Sequence, residues 1–225
     1  MLVNFPLIIS GLATANALAL PKADLTPRKA GDLAVDQLLQ IAPGSKTCNG
    51  GDHGDECRTA EQAAPFLIIG FQKYGIYNAN EMAILTSLIA YESNDFKYHI
   101  HHYPSEVAGQ GTRAMMQSDH ILAYARSIKD LEGKVNAITP AGSTAESLSD
   151  KQKNDVLALV LPDEYSWEAA MWYYTTKDKC KDARVAAQNR LPIAFELYSK
   201  CVGYPFDQKR VEKYDLALKA FGLKE

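Results

Sequence analysis

The chain has 225 residues, 47% of them hydrophobic and 23% charged, with a net charge of −3 and a pI near 6.0. That length buries a sizeable core in one domain with extensions. The near-neutral balance excludes a nucleic-acid binder working by phosphate neutralisation and argues against avid attachment to an anionic wall.

Residues 1–19 carry no charged side chain, Leu7, Ile8, Ile9 and Leu12 form a short apolar run, and Ala17-Leu18-Ala19 is an A-x-A cleavage pattern. The segment is too short to span a membrane, so it reads as a secretory signal peptide and the protein is expected to be secreted and extracellular, with no membrane partner. Residues 20–46, with Pro21, Pro27, Pro43, Gly31 and Gly44, read as a pro-segment or N-terminal arm carrying one or two helical turns at 34–41. One folded domain is expected over 47–225. Four cysteines in a secreted chain predict two disulfides. Three pairings are open, and the local ones are favoured. Cys48–Cys57 would close a loop of polar and glycine residues, and Cys180–Cys201 would staple two C-terminal helices. Tight Cys-x-x-Cys pairs are absent, which argues against a cysteine zinc site.

From Cys57 onward the chain reads as successive helices. Thr59 and Gln62 form a capping box ahead of Phe66, Leu67, Ile69, Gly70 and Phe71, and Gly75 stops that helix. Asn78 with Glu81 opens the next, whose Met82, Leu85, Leu88 and Ile89 form a buried stripe and whose C-terminal end carries Glu92. Residues 94–117 are irregular, with at most a short hairpin inside 95–112. Ser118 caps a helix with Ile121, Leu122, Ala125 and Ile128 inward. Ser149 with Gln152 caps another that ends at Pro162. Ser166 opens a helix from Trp167 to about Lys177. A further helix runs from about Asp182 to Cys201, bent at Pro192, and Asp207 starts the last one. No long period-2 strand is present, so the fold class is mainly α. Trp167, Trp172 and Phe195 read as core.

The chemistry-bearing residues cluster after Ile89. Glu92 lies at the negative end of its helix among Ile89, Ala90, Tyr91 and Phe96, surroundings that raise a carboxyl pKa. It is therefore a candidate general acid of the kind glycosidic bond cleavage needs, set against the plainer reading of a solvated helix-end salt bridge. Asp95 is the candidate second carboxylate, or a turn former. Tyr98, His99, His101, His102 and Tyr103 make a polar aromatic loop suited to sugar rings. Gly109 and Gly111 permit close backbone approach, and Gln110 and Gln117 offer amides to hydroxyl or N-acetyl groups. The histidines have no acidic partner at a fitting spacing, and the acidic run Asp52 to Glu56 reads as a solvated loop, so no metal and no cofactor are expected.

Ala90-Tyr91-Glu92-Ser93, then a variable loop, then Gly109-Gln110-Gly111-Thr112-Arg113 closing on Met116-Gln117, resembles the lysozyme-like superfamily, in the pattern of goose-type lysozymes and lytic transglycosylases. The resemblance implies Glu92 as the catalytic acid and Met116 and Gln117 as cleft lining. Ala169-Ala170-Met171-Trp172-Tyr173-Tyr174 is similar to a later helix of that superfamily, which implies that Tyr173 or Tyr174 faces substrate. A narrower similarity is to secreted fungal muramidases. It runs through Cys57-Arg58-Thr59-Ala60-Glu61-Gln62-Ala63-Ala64-Pro65 and Tyr91 to Tyr98, and spans roughly residues 45–222. It implies a lysozyme-like helical catalytic domain over 47–225, with the irregular loop or a short hairpin forming the cleft. The expected activity is that of an antimicrobial glycoside hydrolase, a muramidase hydrolysing the β-1,4 bond between N-acetylmuramic acid and N-acetylglucosamine. Its partner would be bacterial peptidoglycan or a related β-1,4-linked amino-sugar polymer, and the protein a monomer. The alternatives are a lytic transglycosylase, a chitinase- or chitosanase-like glycosidase, and a non-catalytic secreted glycan-binding protein.

Overall fold

Side-chain caps at Thr59, Asn78, Ser149 and Asp207 set four of the helix starts among the described residues. The computed structural model describes residues 30–49, 53–204 and 207–224. The expected signal peptide at 1–19 lies outside the described residues. Helix α1 (Ala30–Ile41) falls inside the stretch read as an arm, yet Leu38 and Ile41 are buried and the helix packs on α2 (Ala60–Lys73) and on the C-terminal helix. The folded body therefore includes residues 30–46.

Helix α2 starts at the capping box anticipated from Thr59 and Gln62, and Gly75 ends it with φ +66°. The Asn78 side chain accepts from the Asn80 and Glu81 N–H groups and opens α3 (Ala79–Glu92). Every residue from Ala83 to Ala90 is buried, Thr86 and Ser87 included. An all-round buried helix is the centre of a bundle and not a surface helix with one apolar stripe. Met82, one member of the expected stripe, is only partly buried.

Helices α4 (Ser118–Ser127) and α5 (Glu132–Ile138) follow the irregular segment, and α4 packs against α6 (Asp150–Val160). Ser118 is the first residue of α4, not its cap: Gln117 occupies the cap position without a side-chain bond. Ser149 and Gln152 form the expected box before α6. Ser166 ends a short helix α7 (Asp163–Ser166), and the helix expected from Trp167 starts later, as α8 (Ala169–Thr176). The one expected over 182–201 divides into α9 (Lys181–Gln188) and α10 (Ala194–Val202), because Pro192 and a left-handed Arg190 (φ 53°) break the chain between them. Helix α11 (Gln208–Ala220), capped by Asp207, packs along α3 and α1.

Both local disulfides are present. Cys48 and Cys57 have Cα atoms 5.7 Å apart, and Cys180 and Cys201 4.8 Å. The second ties the start of α9 to the end of α10. Among the described residues there is no strand. The loop between α3 and α4 forms only isolated antiparallel bridges, Ile100 to Gly111 and Gly111 to Met116. The fold is mainly α, as its periodicity predicts. Among the described residues no helix is long and apolar enough to cross a membrane.

Candidate functional site

Glu92 closes α3 where the central helix meets α11. Its side chain is 10% exposed and pairs with the Arg210 guanidinium. That guanidinium is stacked between the Tyr91 and Tyr204 rings, 4.3 and 4.0 Å from their centroids. The Tyr91 hydroxyl donates to Asp207 at the start of α11. Burial raises the Glu92 carboxyl above its ordinary value, against the opposing pull of Arg210 and of a hydrogen bond from Tyr204. The physical cause is thus mainly desolvation. Arg210, Tyr204 and Asp207 did not stand out in the sequence, since Arg210 is 118 residues from Glu92.

One cavity is lined by this carboxyl, and a second reaches Tyr204, its hydrogen-bond donor. The first, of about 290 Å³, is lined by Glu92, Tyr98, His101 and Tyr103 together with Tyr91 and His102. The second, of about 200 Å³, is lined by Met116, Gln117 and Tyr173 with His120, Lys179 and Tyr204. Successive residues Met115 and Met116 line one each. Of the sequence-predicted residues, Tyr98, His101 and Tyr103 line the first cavity with Glu92, and Met116, Gln117 and Tyr173 line the second. The Tyr173 hydroxyl lies 3.3 Å from His120 Nε2.

Three predicted residues do not take the expected place. The Asp95 carboxylate is consumed by structure: one oxygen accepts the Gly44 N–H at 2.9 Å and the other accepts Lys213 at 2.7 Å. It lines neither cavity, so it is a clamp between α11 and the chain after α1. Tyr174 is fully buried and donates to Glu81 at 3.1 Å, inside the core. The Gln110 amide donates to the Met115 carbonyl at 3.2 Å and lines neither cavity.

The loop that shapes the first cavity is held from below. Arg113, fully buried, donates to the carbonyls of Phe96, Tyr98 and Glu56 at 2.9, 3.2 and 2.6 Å and stacks on Trp167. Asn94, Asp95 and Phe96 are consecutive left-handed residues, and Thr112 and Met115 add two more. Such conformations cost roughly 1–3 kcal/mol each and concentrate where geometry serves function. Gly109 and Gly111 serve packing and not ligand approach. A Cβ on Gly111 would lie 2.6 Å from the His99 carbonyl oxygen, and one on Gly109 would lie 2.8 Å from the Cβ of Lys153.

Glu56 is the feature the sequence concealed most. Read as part of a solvated acidic loop, it is buried instead. One carboxylate oxygen accepts the His99 and Ile100 N–H groups at 2.8 and 3.1 Å, and the other lies 2.6 Å from His102 Nε2. His53, in the same disulfide loop, stacks on His102 with ring centroids 3.6 Å apart. The acidic partner that the histidines lacked at close spacing thus comes from 46 residues away. Nearby His99 is pushed down to about 4, chiefly by burial and then by Arg113.

No protein-family model matches the chain, and no solved structure matches it. It is similar to a bifunctional dioxygenase (DOX)-epoxy alcohol synthase (EAS) of Fusarium oxysporum (strain Fo5176), 38% identical over 163 residues. The match takes in 72% of this chain and 12% of that protein's length. This match overturns the resemblance to lysozyme-like proteins, because no lysozyme-like relative accompanies it. With the resemblance go the muramidase and glycoside-hydrolase activities, the antimicrobial role, and peptidoglycan or a related glycan as partner. The mainly α architecture stands; the chain is similar to a short part of a much longer protein bearing oxygenation and epoxy alcohol activities in its name.

Proposed function

We propose that this chain holds a small-molecule site that works by acid–base chemistry at Glu92. The observation that carries the reading is a carboxyl, nine-tenths buried and raised in pKa by that burial, that still lines an open cavity. A carboxyl in this state gives a proton to an oxygen atom and takes one back, work worth typically ~10²–10⁴-fold in rate. Tyr98, Tyr103 and Met115, which line the cavity with Glu92, favour a partly apolar ligand with a few polar groups. Asp95 takes no part.

The relative's name points to the compound class to try first, an epoxy alcohol. Protonation of the epoxide oxygen by Glu92 breaks one C–O bond while water forms a new one at that carbon. The proton lost by water returns to the carboxylate, and the net product is a triol. The test is incubation of such an epoxy alcohol with the protein in ¹⁸O-labelled water, followed by mass spectrometry. The wild type should yield singly labelled triol, and Glu92→Gln at least ~100-fold less. Equal rates for both proteins would sink the reading. A second reading, binding without turnover, is favoured by the Arg210 pairing that occupies the carboxylate. It expects saturable binding with no labelled product. We also infer export from the cell, a reading supported by the two disulfides.

A further inference from the structure

We propose that His53, Glu56 and His102 form a binding site for a divalent transition-metal ion of the zinc class. Each offers one donor atom, and the three donors lie within 4.8 Å of one another. Glu56 Oε1 is 2.6 Å from His102 Nε2 and 3.8 Å from His53 Nδ1. Two imidazoles with one carboxylate suit zinc and its neighbours, and leave a position open on the ion. Donors bound at about 2.0–2.1 Å from one ion sit a little over ~3 Å apart, so small side-chain rotations suffice.

Three further observations favour a ligand set over an ordinary buried ion pair. The other Glu56 oxygen is held by two backbone N–H groups, which orient the carboxylate as outer-shell partners do in metal sites. His102 is 8% exposed, and its Nε2 faces Glu56 Oε1 from that buried position. Finally, the His53 and His102 rings lie parallel and stacked, at an interplanar angle of 5°. His99 Nε2, 4.0 Å from Glu56, stands by as a neighbour and not a ligand.

The site joins the Cys48–Cys57 disulfide loop, which carries His53 and Glu56, to the aromatic loop, which carries His102 and lines the cavity at Glu92. A bound ion fixes that cavity wall in place, independently of any acid–base role for Glu92.

The experiment uses untagged protein with both disulfides intact, stripped with EDTA and titrated with Zn²⁺ by calorimetry. The wild type should bind one equivalent. His53→Ala and His102→Ala should each weaken binding by at least ~100-fold, a ligand being worth no less than the outer-shell partners whose loss costs 10–100-fold. His53 is the more exposed ligand, at 32% against 8% for His102, and its variant keeps the fold by circular dichroism, which separates ligand loss from unfolding. X-ray absorption at the zinc edge should show nitrogen and oxygen donors only. Absence of stoichiometric binding, unchanged affinity in both variants, or sulfur in the first shell would overturn the proposal.

Discussion

Two carboxylates sit at the C-terminal end of α3, and each is met by a cation from α11. Glu92 pairs with Arg210, and Asp95 with Lys213 at 2.7 Å. Their exposures are alike, 10% and 16%. What separates them is the other side of each group. Asp95 gives its second oxygen to the Gly44 N–H, and Gly44 has no room for a Cβ there, since one would lie 2.9 Å from that oxygen. Glu92 turns toward a cavity lined by aromatic and polar side chains. The lesson is that an ion pair does not assign a role to an acid; the space left to its remaining lone pairs does.

The largest break in this comparison comes from removing what supports both acids. Arg113→Met strips three carbonyls of a buried donor and leaves the left-handed turn at 94–96 unsupported. We expect a loss of about 3–5 kcal/mol in urea denaturation, as for other broken buried charge networks. Lys213→Met should cost less, about 1–3 kcal/mol, because it leaves Asp95 half-satisfied in a partly exposed place. Turnover at Glu92 should survive that change, and its abolition in folded protein would blur the distinction between clamp and site.

The pH dependence sharpens the contrast further. The folded pKa of Glu92 lies above its unfolded value of about 4.5, so the folded state holds the proton more tightly. Its contribution to stability is complete below that value and is lost as pH rises through the raised folded pKa. Over the pH range that starts at the ordinary glutamate value and ends at the raised folded pKa, the wild type should lose stability relative to Glu92→Gln, with a slope of at most about 1.4 kcal/mol per unit. Paired urea melts across that range check it; a gap that is flat or opens the other way contradicts the burial argument. The smallest effect is expected from Tyr174→Phe, which removes one hydrogen bond to Glu81 inside the core. About 1 kcal/mol should be lost in thermal melts, with no change in turnover.

Local physics was legible in the chain. The boxes at Thr59 and Ser149 and the Asn78 cap each join residues two or three apart, and they appear as read. So do both short-range disulfides. What escaped was set by distant residues. The all-round burial of α3 depends on α11, α9, α8 and α1 closing over it. Arg210 reaches Glu92 across 118 residues, and Glu56 reaches His102 across 46. Pro192 signalled a bend, but the left-handed Arg190 beside it made a break. The glycines looked like ligand contacts because a glycine's reason, packing or approach, is invisible until its neighbours are placed. Glu92 lines one cavity and Met116 and Gln117 another, and short motifs of common residues did not identify the chemistry.

The most direct measurement is the ionisation of Glu92 itself, followed by ¹³C carboxyl NMR in the wild type and in Arg210→Met. The account predicts a wild-type midpoint above the ordinary glutamate value, moving higher once the opposing guanidinium is gone. A wild-type midpoint at or below that ordinary value would mean that Arg210 outweighs burial, and Glu92 would then be a second clamp like Asp95.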